Sequence, residues 1–251
     1  INLNRPWQPA LPIDKAKCPF CTKDEKEVIV PGKPDGWRIL NNLFTPHSDH
    51  LLVIPKDCWE EPELRILGGK PRILDALEIL RLLAIQRQGF EISASVHVGC
   101  MAGQNLGHVH WHVLAPRVQV PFCPTEFDEE VHVHSWQNIS AYAAGVRAGQ
   151  CLFVAKDADA PPLFDTLIVN ELAAAFTEMI EIGNERFKSV QDQPPEYSLG
   201  VRISAIGTLR YASYTPILNP WGEIEHTAAH LEGVPFTLPW PHALTAAYLR
   251  D

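Results

Sequence analysis

Three histidines at alternating positions, in the run His108-Val109-His110-Trp111-His112, carry the strongest chemical signal in this sequence. On a β-strand alternate residues share a face, so the three imidazoles project from one side while Val109, Trp111 and Val113 enter a core. Imidazole titrates near neutrality, and such a row suits nucleophilic attack, proton transfer or metal ligation. By spacing alone a zinc site is as good a reading as a catalytic one. Directly before the row runs Gly103-Gln104-Asn105-Leu106-Gly107, whose glycines let backbone amides approach an anion and whose amide side chains can donate to phosphate oxygens. A separate pair, Cys18-Pro19-Phe20-Cys21, has the spacing that lets two thiolates reach one tetrahedral zinc, which then needs two more ligands.

Taken together, the histidine row, the glycine-amide loop, the Ile54-Pro55-Lys56 strand end and the CxxC pair resemble the histidine-triad (HIT) superfamily. Its motif is His-φ-His-φ-His-φ-φ with φ apolar, and His108-Val109-His110-Trp111-His112-Val113-Leu114 fits every position. The likeness extends back through Asn41-Asn42 and Leu52-Val53-Ile54-Pro55-Lys56, over residues 18 to 117. It implies that His110 attacks the α-phosphorus of a nucleotide, giving a nucleotidyl-histidine that water, phosphate or a sugar phosphate resolves. It also implies that Gln104 and Asn105 hold phosphate oxygens, that His112 orients the phosphate and stabilises transition-state charge, and that Asn41 and Asn42 lie where relatives contact ribose. Where relatives often carry Asn, this chain has His97. Zinc-bearing relatives, including galactose-1-phosphate uridylyltransferases, complete their metal site from the turn after the Ile-Pro-Lys strand and from the first triad histidine. Those positions are Cys58 and His108, so the resemblance implies a structural zinc on Cys18, Cys21, Cys58 and His108, with His47 and His50 as competitors for Cys58.

The elements that must position these residues show a faint internal repeat at an offset near one hundred residues. Leu51 to Asp57 matches Cys151 to Asp157, each reading as a buried strand that ends at a Lys-Asp turn. A helix follows in each, with Ile73, Leu77, Leu80 and Ala84 in the first and Ile168, Leu172, Phe176, Met179 and Gly183 in the second. Strands over Ser93 to Gly99 and Ser198 to Ser204 come next. Aligned on Pro116 and Pro216, the triad His108, His110 and His112 faces Thr208, Arg210 and Ala212, and the loop Cys100 to Gly107 faces the short Ala205-Ile206-Gly207. The expected fold is therefore α+β: a HIT-like antiparallel sheet with helices, duplicated, the second copy degenerate. A catalytic unit with the zinc site would occupy 1–130 and the degenerate repeat 131–251, with the boundary between Glu126 and Gln150.

Duplication and a CxxC pair point to the galactose-1-phosphate uridylyltransferase and dinucleoside-polyphosphate phosphorylase branch, which Tyr211 to Pro216 also resembles. Transferases of that branch have Pro between the first two histidines and Gln at the third position; Val109 and His112 stand there instead, which favours hydrolase or phosphorylase chemistry. The expected function is a nucleotidyl hydrolase or nucleotidyltransferase acting on a nucleoside polyphosphate or nucleotide conjugate. The competing reading is a non-catalytic nucleotide-binding or interaction protein with a structural zinc.

A net charge of -9 argues against sequence-independent binding to a nucleic acid polymer, which needs a basic surface. No stretch approaches the roughly 20 apolar residues of a membrane helix, and nothing at Ile1-Asn2-Leu3 resembles a secretory signal, so a cytoplasmic location without a membrane partner is expected. Relatives pair through sheet edges, so a homodimer is one expectation and a pseudo-dimer within one chain the other. The pair His132 and His134 reads as solvated surface in a polar connector, and Cys100, Cys123 and Cys151 as unpaired small hydrophobes.

Overall fold

Ile73, Leu77, Leu80 and Ala84 recur every three or four residues, and all four are buried on one face of the helix α2 (Gly69–Gln86). Pro71 falls in its first turn, where no backbone donor is lost. Ile168, Leu172, Phe176, Met179 and Gly183 line α3 (Thr166–Arg186) in the same way. Asp165 caps α3, its Oδ1 accepting the N–H groups of Leu167 and Ile168 at 2.9 and 3.1 Å. A short helical turn, α1 (Pro19–Thr22), lies between Cys18 and the first strand. These features come from a computed structural model that describes residues 16–22, 26–43, 49–60, 63–99, 102, 104, 106–115, 132–143, 150–156, 162–186 and 195–217.

Nine strands are described: β1 (Trp37–Asn41), β2 (His50–Pro55), β3 (Ile92–Val98), β4 (Trp111–Leu114), β5 (His132–Ser135), β6 (Ile139–Ala143), β7 (Cys151–Ala155), β8 (Glu196–Ile203) and β9 (Leu209–Ile217). They form one antiparallel sheet in the order β1-β2-β4-β3-β8-β9-β7-β6-β5. The fold is α+β, and both halves of the chain share this sheet, with no separate second domain among the described residues. From β1 inward the order is first strand, second, fourth, third; from β6 inward β6-β7-β9-β8 repeats it.

Helices α2 and α3 pack on one face of the sheet. There Trp37, Val53, Trp111, Val96, Val201, Ala212 and Phe153 join Leu77, Leu80, Leu172 and Phe176 in a continuous apolar core. Truncating a fully buried Trp111 would cost roughly 3–5 kcal/mol. The other face is largely polar along its middle. One transverse row on it, read by strand register, is Leu40, Leu52, His112, Ser95, Gly200, Ser213, Leu152 and Tyr142.

That row corrects the alignment on prolines. His112 lies opposite Ser95 and Ser213 lies opposite Gly200, so the residue at His112's distance from the β3–β8 pair is Ser213, not Ala212. By the same step Tyr211, not Arg210, matches His110. A one-residue slip exchanges the faces of a strand, and Ala212 indeed sits in the helix-side core beside Val201 and Phe153. Pro216 misled because β9 runs through it to Ile217. β7 pairs with β9 only from Ala212 to Tyr214, so no neighbour on that side needs the missing N–H. Pro116 lies outside the described residues. The stretch read as a polar connector contains β5 and β6, and His132 and His134 belong to the edge strand β5, His134 exposed and His132 bonded to Ser135 at 2.7 Å.

Candidate active site and metal centre

Two clusters meet at the end of β4. In the first, the α1 turn is closed by Cys21 and Thr22 N–H groups donating to the Cys18 carbonyl at 3.1 and 3.0 Å, and by the Thr22 hydroxyl at 2.8 Å. This holds both thiols on one side. Cys58 follows the end of β2, and His108 leads into β4. The Sγ and ring-nitrogen atoms of Cys18, Cys21, Cys58 and His108 all lie within 4.8 Å of one another. The separations are 3.4 Å for Cys18 to His108 Nδ1, 3.4 Å for Cys21 to Cys58, 3.6 Å for Cys21 to His108 and 3.2 Å for Cys58 to His108. A tetrahedral metal with sulfur and nitrogen donors has ligand-to-ligand edges of about 3.5–3.8 Å, so the donor set fits one ion.

The electrostatics agree. His108 Nε2–H donates to the Pro55 carbonyl at 2.8 Å, which leaves Nδ1 with the lone pair that faces the thiols. Burial holds the His108 pKa below its ordinary value of 6.5, so the ring is neutral. Burial also pushes the Cys58 and Cys21 thiols up, and neighbouring Cys18 adds to the effect. Thiols crowded together in this way ionise together only beside a cation. The expected competitor His50 is elsewhere, in contact with Asn42 and His112, and His47 lies outside the described residues.

In the second cluster, His110 is buried and its Nδ1–H donates to the His108 carbonyl at 2.8 Å. A carbonyl can only accept, so the neutral ring carries its lone pair on Nε2. His112 packs edge-on against His110 with ring centroids 4.9 Å apart. Its Nδ1 is 2.9 Å from His50 Nε2, and the His50 ring is in turn touched by the Asn42 side-chain nitrogen at 3.3 Å. His97 lies 6.1 Å from His112, ring to ring. Phe20, carried between the two cysteines of α1, approaches both His108 and His110, with centroids 5.4 and 5.9 Å away. Phe20 also packs on Leu40, Leu52 and Ile54, an apolar floor on the histidine face. Arg38 ties α1 to β1 by donating to the Phe20 carbonyl at 2.9 Å.

Gln104 folds back on the start of its loop. Its backbone N–H donates to the Gly99 carbonyl at 3.0 Å, and its Oε1 accepts the Gly99 N–H at 2.8 Å. The side chain is 3% exposed, yet Nε2 has no hydrogen-bond partner among the described residues, leaving a buried donor unused. Asn105 lies outside the described residues. Asn42 joins the histidines, whereas alternation puts exposed Asn41 on the opposite side of the edge strand. The structure thus brings His110, His112 and Asn42 to one face and Cys18, Cys21, Cys58 and His108 to one cluster. His50 as a neighbour of His112, Phe20, and the β8 residues Ser198 and Glu196 were not foreseen. Only the alternation of His50 with Leu52 and Ile54 could have placed His50 on this face.

No family model matches the sequence, and no curated protein matches it. Solved structures share its fold. An ADP-glucose phosphorylase from Arabidopsis thaliana with bound ADP-glucose is 16% identical with a TM-score of 0.62, covering 96% of this chain and 92% of its own. A uridylyltransferase is 18% identical with a TM-score of 0.61, covering 100% of this chain and 94% of its own. Yeast Ap4A phosphorylase in complex with Ap4A is 14% identical with a TM-score of 0.54, covering 92% of this chain and 79% of its own. At these identities the likeness is one of fold, and the fold is HIT-like. No described helix is long and apolar enough to cross a membrane.

Proposed function

We propose that this chain is a nucleotidyl hydrolase or transferase acting on a nucleoside polyphosphate or a nucleotide conjugate through a covalent intermediate on His110. The observation that carries the reading is the tautomer of His110: its Nδ1–H is committed to the His108 carbonyl, so Nε2 is the nucleophilic nitrogen of a ring packed against His112. In the first step the Nε2 lone pair forms a bond to the α-phosphorus, and the bond from phosphorus to the leaving oxygen breaks with its electron pair. His112, coupled to His50, stabilises the charge that develops, and the unused Gln104 Nε2 donates to a phosphate oxygen. In the second step water, phosphate or a sugar phosphate attacks phosphorus and the lone pair returns to Nε2. Asn42 and Asn105 add polar contacts to the nucleotide, and the floor of Phe20, Leu40, Leu52 and Ile54 suits its base.

The metal is zinc in this reading, held by Cys18, Cys21, Cys58 and His108. Four protein ligands leave no open position, so its part is structural: it fixes His108, and through it the carbonyl that orients His110. The repeated strand order supports a duplicated chain, with a catalytic unit over 1–130 and a degenerate unit over 131–251. The test is turnover of ADP-glucose, UDP-glucose and Ap4A by wild type and His110→Asn, with nucleotide affinity measured in parallel. Lost turnover with affinity kept within about threefold supports the enzyme. Affinity without turnover in the wild type turns the reading into a nucleotide-binding protein with a structural metal.

A further inference from the structure

Two neighbouring same-face residues of β8 reach across the middle of the sheet into the segment that leads to the triad. Ser198 stands opposite His97 in the register, and its Oγ lies 2.8 Å from His97 Nδ1. Glu196, two residues earlier, accepts the Ala102 N–H at 3.3 Å. It also lies against Gly99, which has a φ of 98°, and a Cβ added there would fall 2.2 Å from the Glu196 carboxyl carbon. Gly99 is the residue that both the backbone and the side chain of Gln104 grip. The β3 end of this segment and its turn at Ala102 are therefore fastened from the half of the chain that lacks the triad.

We propose that Glu196 and Ser198 are positioning residues for the histidine site, Glu196 fixing the loop that presents Gln104 and Ser198 fixing the His97 ring beside His112. The inference rests on the reading of this loop as a phosphate holder. A carboxylate next to a phosphate site is unfavourable by charge alone, and the bond from the Ala102 N–H gives Glu196 a structural reason to stand there. The Ser198 side chain lies away from the helix-side apolar core, on the histidine face, and its cross-strand neighbour is a buried imidazole. Placement of the reacting groups to within an ångström controls rate, so contacts that touch no substrate still govern turnover.

The experiment combines hydrogen exchange over residues 99–107, AMP affinity by calorimetry and the single-turnover rate of nucleotide transfer from ADP-glucose or Ap4A. It compares full-length Glu196→Ala, Glu196→Gln, Ser198→Ala and Ser198→Thr. The control is Glu171→Ala, which removes a matching bond to the Asn138 N–H between β5 and β6, strands at the opposite end of the sheet order from the triad. Glu196→Ala is expected to speed exchange about tenfold and to slow transfer about 30-fold to 100-fold. Glu196→Gln, which keeps the acceptor, should restore both to within about threefold, and Ser198→Thr should rescue the roughly tenfold loss of Ser198→Ala. The control should lower the melting temperature and leave rate, exchange and affinity unchanged. Unaltered exchange in Glu196→Ala, a loosened loop with undiminished rate and AMP affinity, or an equal loss in the control would each overturn the proposal. A wild type that transfers no nucleotide counts against the nucleotidyl reading alone, since exchange and AMP affinity still decide this one.

Discussion

On either side of the Ser95–Gly200 pair the sheet offers equivalent places, and the two halves fill them differently. β4 presents His112, preceded by His110 and His108; at the same distance β9 presents Ser213 and Tyr211. Before β4 stands a loop closed by Gln104 on Gly99. Before β9 stands a tight turn in which Gly207 N–H donates to the Ser204 carbonyl at 2.9 Å and Ser204 N–H to the Thr208 carbonyl at 2.8 Å. At the place matching His97, Arg202 is buried against Glu91, with Arg210 close by. Burial raises the Tyr211 phenol pKa and keeps it neutral. The comparison teaches that one scaffold holds both a row of imidazoles behind a longer loop and, in the equivalent places, a tight turn and a buried ion pair.

The comparison breaks most visibly if the two central positions are exchanged in importance. His110→Asn should lower nucleotide transfer by about four orders of magnitude, whereas Tyr211→Phe should leave it within about twofold in the same assay. Next in size is the metal cluster. Cys58→Ser, or exhaustive chelation, should release about one zinc per chain by elemental analysis and lower the melting temperature by roughly 6–12 °C. Gly183→Ala sharpens the contrast from the other half. A Cβ there would fall 1.9 Å from the Tyr214 hydroxyl, so calorimetry should show a loss of about 1–3 kcal/mol while the rate per folded molecule is unchanged. The smallest effect is on pH. His108 is held below 6.5 by burial, so in the metal-free protein its stabilising contribution is present above pH 6.5. It is lost as pH falls, because the unfolded chain takes up a proton that the native ring refuses. Denaturant titrations of metal-free wild type and His108→Gln between pH 7 and 5 should show the steeper decline in the wild type.

Much of this was legible in the residues. The period-2 pattern put Val109, Trp111 and Val113 into the core and the histidines on the other face, and the three-to-four spacing laid out α2 and α3, because such patterns are local. Cys18, Cys21, Cys58 and His108 were grouped through resemblance, and the structure brings their ligand atoms together. What escaped depends on partners far along the chain. His50 meets His112 across 62 positions and His97 meets Ser198 across 101, and no periodicity encodes such pairings. The β9 register slipped by one residue because a proline was taken as a strand end, and β5 and β6 were missed because strands of four and five residues carry little periodic signal.

The central claim is that His110 becomes covalently nucleotidylated, and intact mass spectrometry tests it most directly. Wild type and His110→Gly would be exposed briefly to dinucleoside polyphosphates, nucleotide sugars and nucleoside phosphoramidates. The account predicts a wild-type mass increase of one nucleotidyl group that is labile to acid and missing from the variant. An adduct of the same size on His110→Gly, or turnover that proceeds with no adduct in the wild type at any quench time, would contradict it.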